Sequence, residues 1–92
     1  MTDAGLAEIA PLTRLTSLGL KGTAITDAGL KSLAPFTQLQ LLILADTGIT
    51  DAGLKELARL KELGGVSLEN TKVTAAGVAE LKKALPDCLI DH

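Results

Sequence analysis

The sequence of 92 residues has no Trp, no Tyr and a single Phe. Its core must therefore be built from Leu, Ile, Val and Ala rather than rings. The same absence removes the usual anchors of protein interfaces and the platforms on which single-stranded nucleic acid stacks. A basic excess is missing too. The formal net charge is −2, charges of both signs are interspersed, and the longest basic run is Lys82-Lys83. No footprint for DNA or RNA is present, and the pair is expected on a solvated helix face. Cys88 is alone, so there is no intrachain disulfide or thiolate metal set. It is expected as a small buried hydrophobe. Met1-Thr2-Asp3 has neither the positive flank nor the apolar run of a signal peptide, and no membrane span is visible. A soluble protein of a reducing, cytoplasmic compartment is expected, and no membrane partner.

What the sequence does contain is a repeat. "TDAGL" begins at Thr2, Thr26 and Thr50, and a worn copy, "TAAGV", begins at Thr74. The chain divides into one domain, 1–92, with units 2–25, 26–49 and 50–73 and a partial unit 74–92. Each first half spaces its apolar residues helically, as in Leu6, Ile9 and Ala10, then Leu30, Leu33 and Ala34, then Leu54, Leu57 and Ala58. The Thr before each run suits an N-cap and the following Asp suits the positive end of a helix. Each second half alternates, as in Leu18 and Leu20, Leu42 and Leu44, Val66 and Leu68, the pattern of a short strand with one buried face.

The strand half, L-x-x-L-x-L-x-x-T-x-I, is found at Leu15, Leu18, Leu20, Thr23 and Ile25. It recurs at Leu39, Leu42, Leu44, Thr47 and Ile49, and at Leu63, Val66, Leu68, Thr71 and Val73. This resembles the leucine-rich-repeat family, in a 24-residue, helix-bearing form, over essentially the whole chain. The resemblance implies an α/β fold: a right-handed solenoid of about three and a half repeats, parallel strands on the concave face and helices on the convex face. It also implies a non-catalytic protein-interaction module. One departure stands out. Thr23, Thr47 and Thr71 occupy positions where the family commonly has Asn or Cys. A hydroxyl has fewer bonding groups than an amide, so these turns are expected to be held differently.

Physical dimensions lead to the same architecture. Parallel strands stack about 4.8 Å apart, whereas helices with side chains are about 10 Å across, so stacked units splay on the helix side. Ala10, Ala34 and Ala58 are expected at inner helix positions, where small residues limit that splay. Gly5, Gly29, Gly53 and Gly77 recur in first helical turns, where Gly costs up to about 1 kcal/mol against Ala. Close backbone approach is the expected reason. A doubly wound sheet is excluded because its strands would be continuously apolar, whereas Ser17, Gly19, Lys21, Gly65, Ser67 and Glu69 interrupt these.

Enzyme motifs are absent: there is no G-x-S-x-G, no phosphate loop and no H-E-x-x-H. His92, the only His, is expected as a solvated end, and no cofactor or metal is implied. The row Asp3, Asp27 and Asp51 is broken by Ala75 and is explained singly by helix charge. Asp46 and Asn70, at matching loop positions, are expected to bond their own backbone.

Residues between the inward leucines point to the concave surface. They are Ser17, Gly19 and Lys21, then Leu41, Ile43 and Ala45, then Gly65, Ser67 and Glu69. The centre is aliphatic and the rim small or polar, the composition of an interaction surface. Its occupant is expected to be a protein partner or a second copy of the chain, with homo-oligomerisation favoured by size. Four strands give a face of roughly 300 Å², against about 800 Å² per partner in a standard interface. The first strand, near Ser17 to Leu20, is expected as an open edge. "KKALPDCLIDH" breaks the pattern with Pro86 and closes in a short strand carrying Ile90. The chain is expected to be the C-terminal part of a longer array, or a cut or engineered version of one.

Overall fold

The computed structural model describes residues 2–9 and 12–92. In chain order the elements are α1 (Asp3–Glu8), β1 (Ser17–Gly19), α2 (Asp27–Leu30) running into a 3-10 turn (Lys31–Leu33), β2 (Leu41–Ile43), α3 (Asp51–Leu57), β3 (Gly65–Ser67), α4 (Ala75–Ala84) and β4 (Leu89–Asp91). The four strands form one parallel sheet in the order β1-β2-β3-β4. Ser17, Leu41, Gly65 and Leu89 stand side by side in register, as do Gly19, Ile43, Ser67 and Asp91. Each helix packs on the next along the other side of the solenoid. The 24-residue period of the sequence is therefore the register of the sheet.

Between the layers lies an aliphatic core. Leu30, Leu33, Leu39, Leu42, Leu44, Leu57, Leu60 and Leu68 are buried, with Phe36 as the single aromatic among them. At the N-terminal side the equivalent positions are less covered. Ile9, Leu15 and Leu18 are only partly buried and Leu12 is 55% exposed, whereas Phe36 and Leu60, its counterparts, are fully buried. β1 is an edge strand, as its sequence position suggests. The second helix is short because Pro35 has no N–H to return to Lys31. Ala34 is consequently exposed at the end of the 3-10 turn, not turned inward. Ala58 is half-buried, and Ala10 lies outside the described residues.

The Asp row does more than charge a helix end. Asp3 Oδ1 accepts the Thr26 backbone N–H at 2.8 Å and Asp3 Oδ2 accepts the Thr26 hydroxyl at 2.6 Å. Asp27 binds Thr50 and Asp51 binds Thr74 in the same two-pronged way. Each carboxylate thus fastens its own helix to the N-cap of the next unit. The N-cap role of Thr is shared with this bond. Thr50 and Thr74 also accept a first-turn N–H, Thr2 accepts one without an Asp bond, and Thr26 makes no such cap. The recurrent Gly follows from the same geometry. A β-carbon on Gly29, Gly53 or Gly77 would collide with the carboxylate of Asp3, Asp27 or Asp51 respectively.

The strand-to-helix turns carry a second set of regularities. Thr23, Thr47 and Thr71 each donate their hydroxyl to the carbonyl three residues back, of Leu20, Leu44 and Leu68, at 2.8, 2.7 and 2.8 Å. These threonines hold their turns locally, one unit at a time. Gly22, Asp46 and Asn70 adopt positive φ of 70°, 60° and 57°, a region that Gly, Asn and Asp tolerate best. Asp46 and Asn70 do not bond their own backbone as expected. Asn70 Nδ2 donates to Asp46 Oδ1 at 2.8 Å across the unit boundary, because in-register stacking brings equivalent loop residues together.

Candidate protein-interaction surface

Among the described residues, the outer face of the sheet is where two of the three exposed large aliphatic side chains, Leu41 and Leu89, share one surface. Strand alternation and the in-register stacking set it out as rows. The first row is Ser17, Leu41, Gly65, Leu89 and the second is Gly19, Ile43, Ser67, Asp91. Beyond the strand ends the ladder continues, with Gly22 N–H bonding the Ala45 carbonyl and Asp46 N–H the Glu69 carbonyl. A third row, Lys21, Ala45 and Glu69, follows.

Of the residues expected here, Ser17, Gly19, Lys21 and Glu69 are exposed, Gly65, Ser67 and Ile43 are half-buried, and Leu41 is 44% exposed. Ser67 Oγ donates to Glu69 Oε2 at 2.6 Å, tying the polar rim of β3 together. Leu41 leans toward β3: its Cδ1 lies 3.2 Å from where a Gly65 β-carbon would stand. Ala45 is 4% exposed and contributes almost no surface. Its methyl is too short to stand clear of its row neighbours, the longer Lys21 and Glu69.

The residue missed by sequence reasoning is Leu89, which is 74% exposed on β4, next to Gly65. The signal was available, since Leu89 is one repeat period after Gly65 and two after Leu41. The fourth unit departs from the repeat consensus before it reaches its strand, so only the inward Ile90 stands out from the sequence around it. With Leu89 included, the apolar strip is Leu41, Ile43 and Leu89, flanked by small residues.

Nothing else among the described residues assembles a chemical site. No group of three or more His, Cys, Asp or Glu is placed to hold a metal ion. Among the described residues, every buried side-chain nitrogen and oxygen has a hydrogen-bond partner. A groove of about 520 Å³ lies on the helical side between α3 and α4, lined by Leu54, Ala58, Gly77, Leu81 and Ala84. It exists because these are small or inward-turned residues on neighbouring helices. Cys88 is buried, and burial pushes its thiol above the ordinary value of 9.0, with Lys82 acting against that. A raised thiol is a poor nucleophile. Lys82 and Lys83 are on the exposed helix face, with Lys82 Nζ donating to the Cys88 carbonyl at 2.6 Å. His92 is exposed but not wholly solvated: its Nε2 lies 2.9 Å from the Val73 carbonyl.

The electrostatics that are perturbed belong to the Asp–Thr bonds. The Thr26 hydroxyl, then its N–H, hold the Asp3 carboxyl below the ordinary 3.8, with burial opposing them. Asp51 is lowered in the same way by the Thr74 hydroxyl and N–H, with a smaller contribution from His92. These carboxylates are structural and lie on the helical side of the fold.

The chain is a member of the leucine-rich-repeat family. A leucine-rich-repeat family model matches residues 12–34 and 37–58, and the fold agrees. A structure of a leucine-rich-repeat protein from Leptospira interrogans superposes with a TM-score of 0.66 at 23% identity, covering 94% of this chain and 27% of that one. A chain in a structure of the Chaetomium Mex67:Mtr2 subunits superposes with a TM-score of 0.71 at 16% identity, covering 97% of this chain and 68% of that one. This chain therefore spans about a quarter of the length of the Leptospira protein. Comparison with curated proteins finds no significant match. Among the described residues no helix is long and apolar enough to cross a membrane.

Proposed function

We propose that the chain is a non-catalytic protein-interaction module that binds through the outer face of its sheet. The observation that carries this reading is that Leu41 and Leu89, with half-buried Ile43, stand on one sheet face, separated only by the small Gly65 and Ser67 of β3, while among the described residues the other large aliphatics, Leu12 apart, are buried or partly buried. Leu41 and Ile43 at the centre, with Ser17, Lys21, Ser67, Glu69 and Asp91 on the neighbouring strands, follow the general anatomy of interfaces, and Leu89 extends the apolar surface at β4. Family membership supports an interaction role, and the second structural relative comes from a structure of two named subunits. The single thiol of the sequence is buried and raised, and its single imidazole lies against a backbone carbonyl, which supports a role without turnover.

Selection of displayed peptides against the folded chain tests the site. Binders are expected to map by amide chemical shift to β2, β3 and β4, and to be lost on a Leu41→Glu, Leu89→Glu double variant of unchanged fold. Binders that survive this variant, or that map to the helical groove, would overturn the assignment.

A further inference from the structure

The exposed face alternates across its strands. β1 presents Ser17 and Gly19, β2 presents Leu41 and Ile43, β3 presents Gly65 and Ser67, and β4 presents Leu89 and Asp91. Odd strands are low and even strands carry the large residues. Charge is also divided, with Lys21 beside β1 and Glu69 and Asp91 beside β3 and β4. Such a face is complementary to itself only when odd strands are laid on even ones.

We infer that this surface takes a second copy of the same chain, related by a two-fold axis that runs parallel to the strands between β2 and β3. This deepens the interaction-module reading and rests on it. With that axis, β2 lies over β3 of the second copy and β4 over its β1, so Leu41, Ile43 and Leu89 settle above Gly65, Ser67 and Ser17. Leu41 already leans toward Gly65, that is, toward the axis, where it meets Leu41 of the second copy. Lys21 comes within reach of Asp91 of the second copy, twice by symmetry. An axis perpendicular to the strands would lay β2 on β2, large residue on large residue. The contact is isologous and closes as a dimer. The face is small beside a standard interface, so the dimer is a weak, reversible one.

Sedimentation and amide chemical shifts of the full chain, followed from about 20 µM to about 2 mM, span the range of a weak interface. The mass is expected to rise toward twice the monomer, with shifts concentrated at residues 17, 19, 41, 43, 65, 67, 89 and 91. Ser17→Leu, an exposed substitution that fills the groove over β1, is expected to weaken the dimer about tenfold. Lys21→Glu and Asp91→Lys are each expected to weaken it about threefold, and the double exchange to restore it. Concentration-dependent shifts confined to α1 and the edge of β1, or a double exchange that restores nothing, would overturn this arrangement. A chain that stays monomeric and unshifted at the upper concentration would overturn the second copy as partner. The peptide selection would then still decide the proposed function separately.

Discussion

At Gly53 a β-carbon would meet Asp27 Oδ1, and Leu30 Cδ1 at 2.7 Å. Alanine is normally the better helix former by about 1 kcal/mol, so Gly53→Ala is a test in which two effects oppose. Overpacking against a bonded carboxylate wins, and destabilisation of about 1–3 kcal/mol is expected in urea unfolding. In an Asp27→Ala background the cost should shrink, a coupling that a double-mutant cycle reads directly. Gly19→Ala, with no atom within 4 Å of the added carbon, should be near neutral or slightly stabilising. The carboxylates themselves give stability a pH dependence. Asp3 and Asp51 are lowered in the folded state, so their contribution is complete above the unfolded value near 3.8 and disappears as pH falls below it through the folded values. Asp51→Asn should lower the urea midpoint at pH 7 and reduce the further loss between neutral pH and the acid range. The sequence made the glycines legible as points of close approach. It did not disclose what approached, because Asp and the Thr it binds lie 23 residues apart and belong to different units.

The strand-to-helix turn is the element in which the Thr substitutions of the family pattern are resolved. Each hydroxyl closes its own turn, and Thr47, 7% exposed, does so out of water. Thr47→Val removes that donor at nearly constant volume and leaves the Leu44 carbonyl short of a partner. A loss of about 1–2 kcal/mol in thermal or urea unfolding is expected. Asn70 has both a positive φ and a bond to Asp46. Asn70→Ala keeps the β-carbon but loses the short polar side chain that lets Asn tolerate left-handed backbone and bond Asp46. A cost of about 1 kcal/mol is therefore expected in urea unfolding, and measurably less for Asn70→Gly, which loses the bond but relieves the backbone. Strand and helix positions were legible from the change of hydrophobic period, and the register from the 24-residue repeat. The shortness of α2 was marked by Pro35. The partner of Asn70 was not, since a local Asx bond and an inter-unit bond use the same residue types, and only stacking distinguishes them.

For the molecule as a whole, two adjacent residues separate scaffold from surface. Leu42 is fully buried and Leu41 is 44% exposed. Leu42→Ala should cost about 2–5 kcal/mol, whereas Leu41→Ser should alter the unfolding midpoint by no more than the ~0.5 kcal/mol usual for a surface change. The surface was only partly legible in the sequence. Leu41 and Ile43 follow from alternation, Leu89 is hidden by the irregular fourth unit, and alternation alone does not show that Ala45 is nearly covered.

The Asp–Thr bonds have a direction. At each joint the earlier unit supplies the carboxylate and the later unit the hydroxyl and N–H. The units therefore obey a word order. Units 2–25, 26–49 and 50–73 carry both halves of the joint and are interchangeable in principle, whereas 74–92 has Thr74 but Ala75 in place of the acid and can receive a joint without offering one. Duplicating 26–49 in place creates one more complete joint and should raise the unfolding midpoint. The same unit appended after His92 finds no carboxylate waiting for it.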